Sequence, residues 1–157
     1  MKLLVLKENA NSENRVALTV DLLGKYQKLG FEIFIEAKAG EKSAVFDEAY
    51  EKAGAKILSD ISQILPEIDV FVAVQRIDLD LSKIKENAVF IALFNPYFNQ
   101  ERIAAFKDKK INAIALELLP RITRAQTMDV LSSQSNLAGY RAVLDAAYEM
   151  PKCIPMM

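Results

Sequence analysis

DVFVAVQRIDLDLSKIKENAVFIALF, residues 69–94, holds two short apolar runs separated by a polar loop. The runs at 69–74 and 88–94 show no polar alternation, so they suit strands buried on both faces of a parallel sheet. Asn95-Pro96 ends the second, because the residue before a proline is turned away from helix. Toward the N-terminus, KLLVL (2–6) has the same character, and FEIFIE (31–36) adds a strand through its β-branched and aromatic content. INAIALELLP (111–120) supplies a fifth strand.

The intervening segments read as helices. Thr19 can cap one in which Leu22, Leu23, Tyr26 and Leu29 form a stripe and Gly30 closes the end. AKAGEKSAVFD, turned by Gly40, leads into a short helix ending at Gly54, and NQERIAAFKDKK places Ile103, Ala104 and Phe106 inward. ILSDISQIL (57–65) is ambiguous, with Asp60 able to cap one or two helical turns before Pro66. The sum is an α/β fold: an open parallel five-stranded sheet with helices on both faces, in a flavodoxin-like order.

At 157 residues the chain is long enough for one core and too short for two. Its 20 basic and 21 acidic residues leave a net charge of −1, which excludes the basic face that nucleic acid or an anionic membrane would require. Although 52% of the residues are hydrophobic, every apolar run is short and bounded by charge, so none spans a bilayer. One cysteine, Cys153, excludes an internal disulfide framework, and MKLLVLKENAN lacks the apolar core of a signal peptide, which points to the cytoplasm. With no histidine, zinc clusters and histidine triads are also excluded.

Chemistry concentrates in PRITRAQTMDVLSSQSNLAGYRAVLDAAYE, residues 120–149. From Gln134 onward, Leu137, Tyr140, Val143, Leu144, Ala147 and Tyr148 recur at helical steps, which predicts a long buried helix. Ser132, Ser133 and Ser135 are its candidate caps and Pro151 its stop. Before it lie Arg121, Thr123, Arg124, Gln126, Thr127, Asp129 and Ser132, with none of the Lys and Glu of an ordinary solvated face. A guanidinium, a carboxamide and a carboxylate can together grip a planar amide or carboxylate ligand. The same residues would equally serve a loop tied down by an Arg–Asp pair. Arg15, in the loop KENANSENR after the first strand, lies where ligands sit in open parallel sheets, or else bridges to Glu8 or Glu13.

RITRAQTMDVLSS, with KENANSENRVALT at the start, resembles the N-terminal domain of the alpha subunit of proton-translocating nicotinamide nucleotide transhydrogenase, a family that shares its fold with alanine dehydrogenase. The likeness runs over essentially the whole chain, is densest at 120–149 and is thin between about 56 and 112. It implies that Arg121, Gln126 and Asp129 reach the nicotinamide of NAD(H), with Ser132 as a further contact. It implies for Arg15 a counterpart that binds the substrate carboxylate in alanine dehydrogenases. It also implies hydride transfer from NADH to NADP⁺, an NADP-binding component and membrane subunits as partners, a homodimeric complete protein, and a place on the cytoplasmic face of the inner membrane.

Residues 1–150 then form the alanine dehydrogenase/transhydrogenase N-terminal domain, and PKCIPMM (151–157) begins a connection to a Rossmann NAD-binding domain. That domain is expected to hold the pyrophosphate, because the glycines at 24, 30, 40, 54 and 139 form no G-x-G-x-x-G. The chain alone is therefore expected to be inactive and to bind no NAD(H). Where alanine dehydrogenases carry a lysine and a histidine, this chain has Gln75 or Arg76 and the Phe94–Asn95 region, which disfavours an amino-acid dehydrogenase. Lys7-Glu8 after the first strand, in place of an acidic pair, disfavours a non-catalytic receiver-like module.

Overall fold

The computed structural model describes residues 1–9 and 13–152. Cys153 and most of the connecting segment 151–157 lie outside the described residues, as do residues 10–12 of the loop that carries Arg15. The chain divides into two compact units, Met1–Ala115 and Leu116–Met157.

The first unit is built on six strands: β1 (Lys2–Val5), β2 (Glu32–Glu36), β3 (Lys56–Leu58), β4 (Val70–Val72), β5 (Val89–Ala92) and β6 (Asn112–Ala115). All pair in parallel, in the order β3-β2-β1-β4-β5-β6. The five strands expected from sequence are present, and without β3 their order is the flavodoxin-like one. The sixth strand corrects the expectation for the ambiguous stretch at 57–65. Lys56, Ile57 and Leu58 pair with Phe34, Ile35 and Glu36 and extend the edge, whereas Asp60 caps only a turn by accepting the Ser62 N–H at 2.8 Å. Three residues are too few for an apolar periodicity to register.

Alternate side chains of the central strands enter two cores, one on each face of the sheet. Leu3, Val5, Ile33, Ile35 and Val70 meet Leu23 of α1 (Val20–Lys28) and Tyr50 of α2 (Asp47–Lys52). Leu4, Phe34, Phe71 and Phe90 meet Phe106 of α3 (Gln100–Asp108) and the turn around Leu65 and Ile68. Phe90 stacks on Phe71 with centroids 5.5 Å apart and meets Phe94 and Phe106 edge-on at 5.7 and 5.4 Å. Each such pair contributes about 0.5–1.5 kcal/mol beyond area burial. On α3 it is Ala105, not the exposed Ala104, that packs with Ile103 and Phe106.

Gly40 has an ordinary right-handed backbone, so its turn does not need glycine for φ. Glycine is required there for space: a Cβ would lie 2.6 Å from the Val45 carbonyl oxygen and 3.0 Å from Tyr50. Tyr50 is fully buried and donates its hydroxyl to the Leu18 carbonyl at 2.8 Å, and burial pushes the phenol up to about 12.

The second unit contains a 3-10 helix, Thr123–Met128, and a long helix α4, Val130–Glu149. The helix begins four residues earlier than the Gln134 expected from periodicity, because Asp129 and not a serine is its N-cap. Its burial also departs from expectation: no residue of α4 is buried, and Leu137, Tyr140, Val143, Leu144 and Tyr148 are exposed. The apolar stripe exists, but nothing among the described residues covers it. No helix among those residues is long and apolar enough to cross a membrane.

Candidate functional site

The loop before α4 folds into a pocket of about 390 Å³ lined by Pro120, Arg121, Ile122, Ala125, Gln126, Asp129 and Ser132. The 3-10 helix sets this geometry. It buries Ala125 as its anchor and brings Gln126 to the same side as Arg121 and Asp129. Asp129 is fixed by the helix it caps: Oδ1 accepts the Ser132 N–H at 3.0 Å and Oδ2 accepts the Ser132 hydroxyl at 2.6 Å. These bonds, the Ser132 hydroxyl first, hold its carboxyl below the usual range, with a smaller contribution from the positive charge of Arg121.

Arg121 forms no ion pair with Asp129, so the loop is not tied by the Arg–Asp bridge that the composition allowed. Neither the Arg121 guanidinium nor the Gln126 carboxamide has a side-chain hydrogen bond among the described residues. The pocket thus presents a donor-only guanidinium, a carboxamide that can donate and accept, and a carboxylate with lone pairs to spare. The Ser132 hydroxyl is engaged as a donor to Asp129, which leaves its oxygen as an acceptor. A flat group bearing both an acceptor oxygen and N–H donors is matched by this set; a metal ion is not. Among the described residues no three His, Cys, Asp or Glu side chains gather to hold a metal ion.

Arg15 lies in the other unit, in a cavity of about 80 Å³ between the loops that follow β1 and β2. It is paired, as the sequence allowed, with Glu13. Its Nε and Nη2 donate to the two carboxylate oxygens at 2.8 and 2.7 Å, and its backbone N–H reaches Oε1 at 2.9 Å. This bidentate contact holds the Glu13 carboxyl below its usual range and raises the guanidinium further. Glu13 is only 5% exposed.

Sequence reasoning named Gln75 and Arg76 only for what they replace; the structure gives each a task. Gln75 Nε2 donates to Glu13 at 2.9 Å, and Arg76 Nη1 donates to Glu36 at 2.7 Å and to the Lys7 carbonyl at 2.8 Å. Glu8, 4% exposed, accepts three backbone N–H groups from the loop after β4. A carboxylate closely following a strand buried on both faces was the available signal, since such a group cannot be buried without partners.

Comparison with known proteins agrees with this architecture. The family model described as alanine dehydrogenase/PNT, N-terminal domain, matches residues 4–138. The first portion of the NAD(P) transhydrogenase alpha subunit of Rhodospirillum rubrum is 44% identical over 163 residues, covering all of this chain and 42% of that protein. Alanine dehydrogenase of Bacillus subtilis is 30% identical over 148 residues, covering 94% of this chain and 38% of that protein. The crystal structure of transhydrogenase from Sinorhizobium meliloti superposes with a TM-score of 0.89 at 44% identity, over all of this chain and 47% of that one. The chain therefore spans less than half the length of these relatives. With its doubly wound sheet and a family match over most of its length, the chain belongs to the alanine dehydrogenase/PNT N-terminal domain family.

Proposed function

We propose that this chain is one wall of the NAD(H) site of a proton-translocating transhydrogenase alpha subunit, in which hydride passes from NADH to NADP⁺. The observation that carries the reading is the pocket before α4, where Arg121 and Gln126 are unpaired beside a carboxylate already locked in place. The nicotinamide supplies the hydride; the chain's residues supply its orientation. Arg121 would hold the carboxamide oxygen as a donor, while Asp129 and the free lone pair of Ser132 would accept from the amide N–H groups. Gln126, with both a donor and an acceptor, would help to fix the orientation of the ring. Catalysis here is by positioning, which a histidine-free site can provide, because passing a hydride between two nicotinamides requires no acid or base.

The pyrophosphate is assigned to a Rossmann domain following residues 151–157, because the chain has no glycine-rich cradle for it. The NADP-binding component, the membrane subunits, the dimeric state and the peripheral place on the cytoplasmic face belong to the same proposal. Identity to the transhydrogenase relatives exceeds that to alanine dehydrogenase, at 44% against 30%, which favours transhydrogenation over amino-acid oxidation. The pocket's match to a carboxamide supports a nicotinamide site, which both reactions share. The test is stopped-flow hydride transfer in the chain joined to its Rossmann domain and mixed with the NADP-binding component. Gln126→Ala should slow the transfer step by about tenfold or more while leaving NADH affinity within about threefold. Equal losses in both would overturn a positioning role.

A further inference from the structure

In doubly wound parallel sheets, ligands enter the crevice at the carboxyl ends of the strands where the strand order reverses. In the order β3-β2-β1-β4-β5-β6 that point lies between β1 and β4. Leaving β1, the chain passes Leu6, whose N–H donates to the Val72 carbonyl at 3.0 Å, and reaches Lys7 and Glu8. Glu8 extends across the gap. Its Oε1 accepts the Val74 N–H at 2.7 Å, and its Oε2 accepts those of Gln75 and Arg76 at 3.1 and 3.0 Å. Successive backbone N–H groups turned toward one anion make the concave site that elsewhere receives phosphate or carboxylate.

We infer that the switch-point crevice of this fold is a built carboxylate site whose resident ligand is the chain's own Glu8. Burial of Glu8 to 4% exposure, with all three donors directed to it, leaves no donor of the nest for an outside acid. Arg76 and Glu36 further clamp the Lys7 backbone through its carbonyl and its N–H. The internal carboxylate ties the loop after β1 to the loop after β4. From there Gln75 reaches Glu13, and Glu13 holds Arg15. Glu8 is thus a positioning residue for the Arg15 cavity, independent of what the pocket before α4 binds.

The test uses the 157-residue chain and sodium formate, with sodium chloride at equal ionic strength as the control. Glu8→Ala should melt well below the parent chain. Formate at about 100 mM should restore about 4 °C, taking a dissociation constant of order 10 mM. In the same titration the amide resonances of residues 74–76 should shift saturably in Glu8→Ala and stay unmoved in the parent chain. Glu8→Gln, which keeps the volume but offers a neutral amide, should show no response to formate. Should Glu8→Ala not fold in chloride, folding in formate is the expected result, and failure in both salts would overturn the inference. So would movement of the parent chain's amides at 74–76, or equal stability of Glu8→Ala in the two salts.

Discussion

Arg15 and Arg121 carry the same side chain in opposite circumstances. Arg15 is held by both oxygens of a buried glutamate, and that glutamate is shared with Gln75. Arg121 lines an open pocket with no side-chain partner among the described residues, beside an aspartate already engaged by Ser132. Burial explains the difference. Glu13 is buried at the crossing of two loops, where an unpaired carboxylate would cost several kcal/mol, so Arg15 and Gln75 both donate to it. The loop before α4 stays solvated and can leave donors unspent at little cost. An arginine committed to a buried carboxylate holds a structure together, and an uncommitted one is available to a ligand.

The largest effect is expected from Arg121→Ala. In the proposed transhydrogenase it should slow hydride transfer by about 100-fold with NADH affinity nearly unchanged, and the melting temperature of the isolated chain should move by no more than about 1 °C. A large fall in stability would place Arg121 with Arg15 as a structural residue. The converse substitution, Glu13→Ala, should destabilise the chain by about 2 kcal/mol in urea unfolding, because Gln75 and Arg15 both lose their acceptor. A change below about 0.5 kcal/mol would show that solvent replaces the pair without loss.

A smaller effect is expected on acid titration. Glu13 titrates lower folded than unfolded, so its contribution is present above its ordinary value of 4.5 and is lost as the pH falls through the depressed folded value. Glu13→Gln should therefore make stability fall less steeply below about pH 4.5, where Asp69, also held low by Lys85, keeps part of the slope. An unchanged slope would deny the pair its role. The smallest effect is a null one: calorimetry of the isolated chain with NADH should give no saturable heat at micromolar protein. Two or three exposed charge-assisted bonds reach only about millimolar affinity once ordering costs are met. Micromolar binding would require a nucleotide site elsewhere in the chain.

The sequence made the sheet legible because strands buried on both faces must be apolar throughout, as DVFVAV and AVFIALF are. β3 was missed because an edge strand of three residues, led by Lys56, carries no such requirement. The pocket residues stood out by type, since Arg, Gln and Asp appear there without the usual Lys and Glu. The start of α4 lies earlier than expected because three serines fit the capping pattern while Asp129 reads as a ligand group, and only the folded loop shows which oxygen reaches the Ser132 N–H. Glu8 and Gln75 could not be joined by any local rule, since their contact spans 67 residues and depends on β1 and β4 being neighbours.

The short edge strand has a consequence for handling the protein in solution. β3 pairs with β2 on one side only, so its other side offers backbone groups on which a strand from another molecule could add. Three residues present too short a ladder to nucleate such growth, and Lys56, exposed and paired to Glu32 at 2.6 Å, keeps charge at that margin. Lengthening β3 with β-branched residues while neutralising Lys56 would turn a protected margin into a seed for fibrils without altering either arginine site.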